Sequence, residues 1–252
     1  MLFAAGCFTI SEPRTGSGGV DEVYMDRYLN WYIKREMTRN DIAGLSIAIV
    51  DDHRVIWTKG FGYANRETGE MAGSDTLYRA GSISKLFTAT AVMQLVESKQ
   101  IDIDQPIVRY VPGFKIKSRF GTTDGITPRN MMSHHSGLPT MYEGDGVRAP
   151  DEAFLSLLEK IKDEYVATPP NTVTAYSNLA YSLLGILIEN VSGKDFRRYV
   201  KENLLQPLSM HSSFFSPDVK NRSIARGYDH NELVAGGFFR LNPRSDLIIA
   251  SP

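Results

Sequence analysis

The sequence predicts a mixed α/β (α+β) fold: an antiparallel sheet flanked by helices, joined to an all-helical subdomain. Three observations carry this. Ile42 to Val50 (IAGLSIAIV) and Arg54 to Tyr63 (RVIWTKGFGY) are strand-length runs on either side of the turn Asp51-Asp52-His53, the pattern of a β-hairpin. A helical stripe precedes them. From about residue 100 to 230, short helical stretches alternate with Pro- and Gly-marked loops, and little reads as strand. A chain of 252 residues is long enough for a domain with a sizeable insertion.

Residues 1–19 read as a tail or tether. Ala4-Ala5-Gly6-Cys7 loosely resembles a lipobox, in which Cys7 would carry a lipid anchor and the Ser- and Gly-rich stretch Ser11 to Gly19 would be a flexible tether. The other reading is a ragged start with an incidental cysteine. Six residues are too few for a signal h-region, and no basic region precedes them. From Val20 to Met37, apolar residues at Val20, Val23, Tyr24, Tyr28, Trp31 and Tyr32 form a stripe at helical spacing, expected to be the packed face of the first helix. The apolar run Ile42 to Val50 suits a strand covered on both faces. A second turn follows at Glu67-Thr68-Gly69-Glu70.

Ser82 to Lys99 then reads as a helix. Its residues Leu86, Phe87, Ala89, Thr90, Met93 and Val96 are apolar almost all round, so burial is expected. Thr127-Pro128 is a helix start, a threonine cap with proline at the first helical position. Tyr181 to Val191 (YSLLGILIENV) is a second strongly apolar helix, closed by Ser192-Gly193. The expected organisation of 20–252 is helix and hairpin over 20–81, the apolar helix and an all-helical region over 82–230, and a return toward the sheet over 231–252.

Composition narrows the function. Lys plus Arg total 28 against 29 Asp plus Glu, so no basic excess exists to release counterions from a polyphosphate, and nucleic acid is not expected as a partner. The uncharged apolar stretch Ser177 to Ile188 is far shorter than the ~20 residues of a transmembrane segment. A single cysteine excludes an internal disulfide and a thiolate metal cluster. His134 and His135 are adjacent rather than at helical i,i+4 spacing, so no metal site is expected. Asp102 and Asp104 read as turn and capping acids. No phosphate loop is present, since Gly16-Ser-Gly-Gly19 lacks the Lys-Ser/Thr ending.

One constellation carries chemistry. In Arg79-Ala-Gly-Ser-Ile-Ser-Lys85, Ser82 and Lys85 lie three apart at a helix start and share a face. A serine hydroxyl needs a neighbour to take its proton, and a lysine dried by a buried helix can do so. The helix N-terminus adds free N–H groups where an oxyanion would develop, and Gly81 keeps the approach open. Alone, such a pair is usually an N-cap and a surface lysine. Tyr176-Ser177-Asn178, after Pro169-Pro170 and before the second apolar helix, changes that. A phenol can exchange protons with a serine, and an amide can orient a carbonyl while bonding the lysine.

With these motifs in place, the chain resembles the serine β-lactamase and penicillin-binding protein superfamily, in its class C β-lactamase-like branch with DD-peptidase and esterase relatives. The resemblance extends through Gly60 to Asn65 (GFGYAN), Tyr78 to Lys85 (YRAGSISK), Ile101 to Pro106 (IDIDQP), Tyr110-Val-Pro112 and Met131 to Pro139 (MMSHHSGLP), covering roughly residues 22 to 240. It implies a β-lactamase/transpeptidase-like fold without cofactor, with Ser82 as acylated nucleophile, Lys85 as general base, Tyr176 as proton relay and deacylation base, and Asn178 as substrate-orienting amide. The family's third motif, Lys-Thr-Gly or His-x-Gly on a later strand, has no match after Asn178. His135-Ser136-Gly137 spells it but precedes Tyr176, and His211-Ser-Ser213 lacks the glycine. Val234 to Phe238 (VAGGF) resembles a turn that leads to further sheet strands, and Asn242-Pro243 could cap the helix after it. The expectation is therefore a family member stopping before its last third, with an incomplete sheet. Two functions follow: a serine hydrolase forming an acyl-enzyme on a β-lactam, a D-Ala-D-Ala-type peptide or a carboxylic ester, impaired by the missing motif; or a non-catalytic or single-turnover ligand-binding relative. Losing one oxyanion donor costs serine hydrolases about 10²–10³ in turnover. The resemblance implies a cell-envelope or periplasmic location, with the cytoplasm as the alternative.

Overall fold

The computed structural model describes residues 22–140, 154–215, 224–229, 232–233 and 247–250. In chain order the elements are α1 (Glu22–Arg39), β1 (Gly44–Asp51), β2 (Arg54–Asn65), β3 (Glu70–Met71), β4 (Leu77–Arg79), a 3₁₀ turn (Gly81–Ile83) entering α2 (Ser84–Glu97), a 3₁₀ turn (Ile107–Arg109), α3 (Pro128–Met132), α4 (Phe154–Ile161), α5 (Asn178–Ser192), α6 (Phe196–Val200) continued by a π-helical turn (Lys201–Leu205), β5 (Phe214–Phe215), β6 (Tyr228–Asp229), β7 (Glu232–Leu233) and β8 (Leu247–Ala250). They fall into two compact units, one built from the described residues of 22–76 and 224–233, the other from those of 77–215 and 247–250. The tail 1–19 with Cys7, Val20, and the segments Val234 to Phe238 and Asn242-Pro243 lie outside the described residues. Among the described residues, no helix is long and apolar enough to cross a membrane.

In the first unit the expected hairpin is present. Asp52 and His53 both take positive φ, 42° and 60°, the backbone of a two-residue turn whose twist matches its strands. Pairing runs from Asp51–Arg54 to Gly44–Gly62, with a bulge at Ile49/Val50. After the expected turn, β3 adds to β2 and gives the order β1-β2-β3. Helix α1 lays Leu29, Ile33 and Met37 on Leu45, Ile47, Trp57 and Phe61. Gly62 makes the close fit possible: a Cβ there would lie 2.3 Å from the Ala43 carbonyl oxygen and 2.9 Å from Met37 Cε, and its φ of +67° suits glycine. Tyr228 ties β6 to this sheet, accepting the Arg66 N–H at 2.6 Å and donating to Glu67 at 2.8 Å.

Two expectations for this unit are corrected. The stripe Val23–Tyr24–Tyr28–Trp31–Tyr32 is not the packed face. Val23, Trp31 and Tyr32 are exposed and Tyr24 and Tyr28 only half-buried, and the rings pack on one another, Tyr28 on Tyr24 and Tyr32, with Arg35 over Trp31. A helix buries one stripe, and the i,i+4,i+8 row Leu29, Ile33, Met37 takes it. Strand β1 is only half-buried along its length, because α1 covers one face.

The second unit is built around α5. Leu183, Leu184, Ile186, Leu187 and Ile188 are buried against Ala91, Val92 and Leu95 of α2 and against Ile107, Val111, Ile126, Met131, Leu157 and Ile161. The ends of α5 are as the sequence predicts. Ser177 is its N-cap, with Oγ accepting the Ala180 N–H at 3.0 Å, and Gly193 closes it at φ 67°. Thr127 and Asn130 form a reciprocal capping box for α3, with Pro128 in the first turn. Three strands of two to four residues form a small antiparallel sheet in the order β4-β8-β5. The described strands thus form separate small sheets, and the sheet is not closed.

Helix α2 needs a correction. Its buried residues are Ser84, Thr88, Ala91, Val92 and Leu95, whereas Leu86 and Met93 are exposed. The side facing α5 takes small residues, so apolar composition all round did not mean burial all round.

Truncating Leu184, fully buried at the centre of α5, to alanine should lower unfolding free energy by about 2–5 kcal/mol, measured by urea denaturation followed by circular dichroism.

Candidate active site

The four residues singled out from the sequence meet in the second unit. Ser82 sits in the 3₁₀ turn ahead of α2, one residue after Gly81, whose φ of +51° turns the chain with open space where a side chain would be. Ser82 is not a cap: Ala80 holds that position, without a side-chain bond. Lys85, one turn on, points to the same side.

Tyr176 and Asn178 come from the extended entry to α5, on either side of Ser177. That residue is wholly buried and extended (φ −131°, ψ 115°). Its hydroxyl donates to the Pro139 carbonyl at 2.7 Å while capping α5. In extended backbone, neighbours of an inward side chain point the other way, so burying Ser177 presents Tyr176 and Asn178 together. Thr140 holds both: its hydroxyl donates to the Tyr176 carbonyl at 2.8 Å, and its carbonyl accepts the Asn178 N–H at 2.9 Å.

The resulting geometry is a connected set. Ser82 Oγ and Tyr176 Oη share a hydrogen bond of 2.6 Å; Lys85 Nζ donates to Ser82 Oγ at 3.2 Å and to Asn178 Oδ1 at 2.7 Å. Lys85 only donates, so the amide oxygen of Asn178 must face it and the Nδ2 donors face elsewhere. The ammonium also lies 4.9 Å from the Tyr176 ring centre and 5.5 Å from that of Tyr181. Partial burial pushes the Tyr176 phenol up, but hydrogen bonds from Lys85 and Ser82 and the charge of Lys85 outweigh it, so the group ionises below the ordinary tyrosine value. Burial pushes the Tyr181 phenol up.

The dry setting expected for Lys85 is not what the fold provides. Ser82 is exposed, Tyr176 is 44% exposed and Lys85 only half-buried. Sequence reasoning also missed three contributors. Thr140 follows the loop MMSHHSGLP directly, and His134 lies within it, its ring 4.5 Å from that of Tyr176. Tyr181 stands one turn along α5 from Asn178 and donates to the Met132 carbonyl at 2.9 Å. The i,i+3 relation to Asn178 was the available signal.

The remaining candidates have structural partners. His135 bonds the Ser133 carbonyl and Thr174, each at 2.7 Å. Asp102 accepts the Asp104 N–H at 2.9 Å, and Asp104 receives a fork of bonds from Arg129 at 2.6 and 2.8 Å. Among the described residues, no three His, Cys, Asp or Glu converge as metal ligands would. A groove of about 810 Å³ in the other unit, lined by Lys34, Met37, Lys59, Phe61 and Tyr63 among others, has no serine, cysteine or histidine in its walls. Volume alone does not locate the chemistry.

A family profile described as Beta-lactamase matches residues 29–237. The chain belongs to the beta-lactamase family. It is 29% identical over 199 residues to Protein flp of Staphylococcus aureus, covering 78% of this chain and 40% of that protein. Among solved structures, the octameric penicillin-binding protein homologue from Pyrococcus abyssi superposes with a TM-score of 0.77 at 30% identity, over 90% of this chain and 54% of that one. A class C beta-lactamase gives the same TM-score at 24% identity, over 93% and 63%, which establishes the fold. The chain therefore spans 40% to 63% of the length of these relatives. The beta-lactamase fold and a family composed mostly of serine hydrolases are the setting in which Ser82, Lys85, Tyr176 and Asn178 are to be read.

Ultraviolet difference titration should show one tyrosine ionising below the ordinary value of 10.0. Tyr176→Phe should abolish that early step, and Lys85→Met should move it to higher pH, since both the charge and the hydrogen bond that favour the phenolate are then gone.

Proposed function

We propose that this chain is a serine hydrolase that forms an acyl-enzyme at Ser82 on a carboxylic ester or amide, a β-lactam or D-Ala-D-Ala-type peptide included. The 2.6 Å bond between Ser82 and Tyr176, with Lys85 behind both, supports this most directly. Ser82 Oγ attacks the carbonyl carbon as its proton passes to the Tyr176 oxygen. The tetrahedral intermediate then collapses, the C–O or C–N bond breaks, and the leaving alcohol or amine takes that proton from Tyr176. A water repeats the sequence in reverse to free the acid. Lys85 favours the phenolate that receives the proton, a division of labour in which tyrosine is the immediate base and lysine sets its poise. Asn178, held by its oxygen, has Nδ2 to offer the acyl group. No metal or cofactor enters this scheme. A cell-envelope or periplasmic location belongs to the same proposal, because the family's substrates lie there.

The exposure of Ser82 and Tyr176 favours a second reading, acylation with slow or no release. Charge developing in a water-open site gains less from fixed donors than in a closed one.

Intact-mass measurement after fluorophosphonate treatment should give one adduct, absent in Ser82→Ala and formed about 10²–10⁴-fold more slowly in Tyr176→Phe. No adduct on a folded wild-type chain would overturn the acyl-enzyme reading. With a penicillin or a nitrophenyl ester, an adduct that decays as free acid accumulates supports the hydrolase, and one that persists supports the single-turnover binder.

A further inference from the structure

One residue grips three successive residues of the loop that carries the phenol. The carbonyl of His134 accepts the Ala175 N–H at 2.8 Å; its ring lies against that of Tyr176, centres 4.5 Å apart; its Nδ1 accepts the Ser177 N–H at 3.2 Å. The far part of the ring packs on Tyr181 at 5.3 Å. His134 holds this position with φ of +61°, a left-handed conformation that costs a non-glycine residue and is kept only where its surroundings fix it.

We propose that His134 is a positioning residue that aims Tyr176 at Ser82, and that it does so only as the neutral imidazole. The inference rests on the serine-hydrolase reading for its catalytic consequence, though not for its geometry. Nδ1 can accept the Ser177 N–H only when unprotonated, which places the neutral ring's proton on Nε2. Protonation sets two donors face to face, so the Ser177 N–H loses its partner and the loop its hold. The charged and titratable groups facing the ring are Lys85 from α2, Tyr176 from the loop, Tyr181 from α5 and the adjoining His135. The first of these is a cation and disfavours a second one beside it. Burial, then the charges of Lys85 and His135, hold the imidazole below its ordinary value of 6.5, so it is neutral near pH 7. With a depressed value in the folded state, the neutral form's contribution is complete above about 6.5 and is lost as pH falls toward the lowered value.

Two variants test this on the full chain. His134→Asn keeps an acceptor near the Nδ1 position, tolerates positive φ and cannot titrate. His134→Ala removes acceptor and ring together. Rates of serine phosphonylation by a fluorophosphonate, read by time-resolved intact mass between about pH 5 and pH 8, should fall in the wild type on the acid side. In His134→Asn the rate near pH 8 should stay within about tenfold of wild type and the histidine-linked part of the acid limb should vanish. His134→Ala should lose about 100-fold near pH 8, the scale of a misplaced catalytic group, and the gap to wild type should narrow as pH falls and the wild-type imidazole is protonated. Nitrogen-15 histidine spectra should show His134 with an unprotonated Nδ1 at neutral pH. An identical acid limb in His134→Asn and wild type, or a proton on Nδ1, would overturn the proposal. If the wild type forms no adduct, the hydrolase reading fails by itself. The positioning role is then decided by phenol titration: Tyr176 ionisation moving toward 10.0 in His134→Ala upholds it, and an unmoved titration rejects it.

Discussion

The contact on which the site depends is the 2.7 Å bond from Lys85 to Asn178, because it joins two helices that the chain places some ninety residues apart. Lys85 is carried by α2 and Asn178 begins α5, and these two helices pack against each other through the most deeply buried side chains of the unit. The apolar packing sets the spacing of the helices; the polar bond sets their rotation and register at one end. With the lysine held, its ammonium is within reach of Ser82 and above the Tyr176 ring, and the phenol is favoured as its anion. A shift of either helix along its axis would separate the groups before it disturbed the core.

Ser82, Lys85, Tyr176, Asn178, Thr140 and His134 all lie between residues 77 and 215. The family likeness covers more of the chain than that, and the relatives are longer again. The groups are correctly joined to one another, yet water reaches the nucleophile.

Much of this was legible in the sequence, and for identifiable reasons. Ser82 and Lys85 at i,i+3, Tyr176 and Asn178 flanking an N-cap serine, Thr127-Pro128 and Ser192-Gly193 are local patterns whose geometry follows from a few backbone rules. The hairpin was legible because its turn is only two residues long. What misled was composition without direction. The aromatic residues of α1 suggested a buried face, but Leu29, Ile33 and Met37 occupy the sheet side. The apolar residues of α2 suggested a dry lysine, but Leu86 and Met93 face outward. The roles of Thr140 and His134 could not be read, because they act through the backbone of a loop distant in sequence, and such contacts leave no periodic trace. The short strands β4, β5 and β8 escaped for the same reason, two to four residues carrying too little pattern.

Ser177 has a consequence for how such a site can fail. Its side chain is sealed in the core and bonded at both ends, so the position is closed to exchange, while its two neighbours project from it like teeth set in one socket. The two functional side chains at 176 and 178 thus share one mount, the capping and core contacts of Ser177. A change at Ser177 would therefore reach both flanking groups at once, a fault in the socket rather than in either tooth.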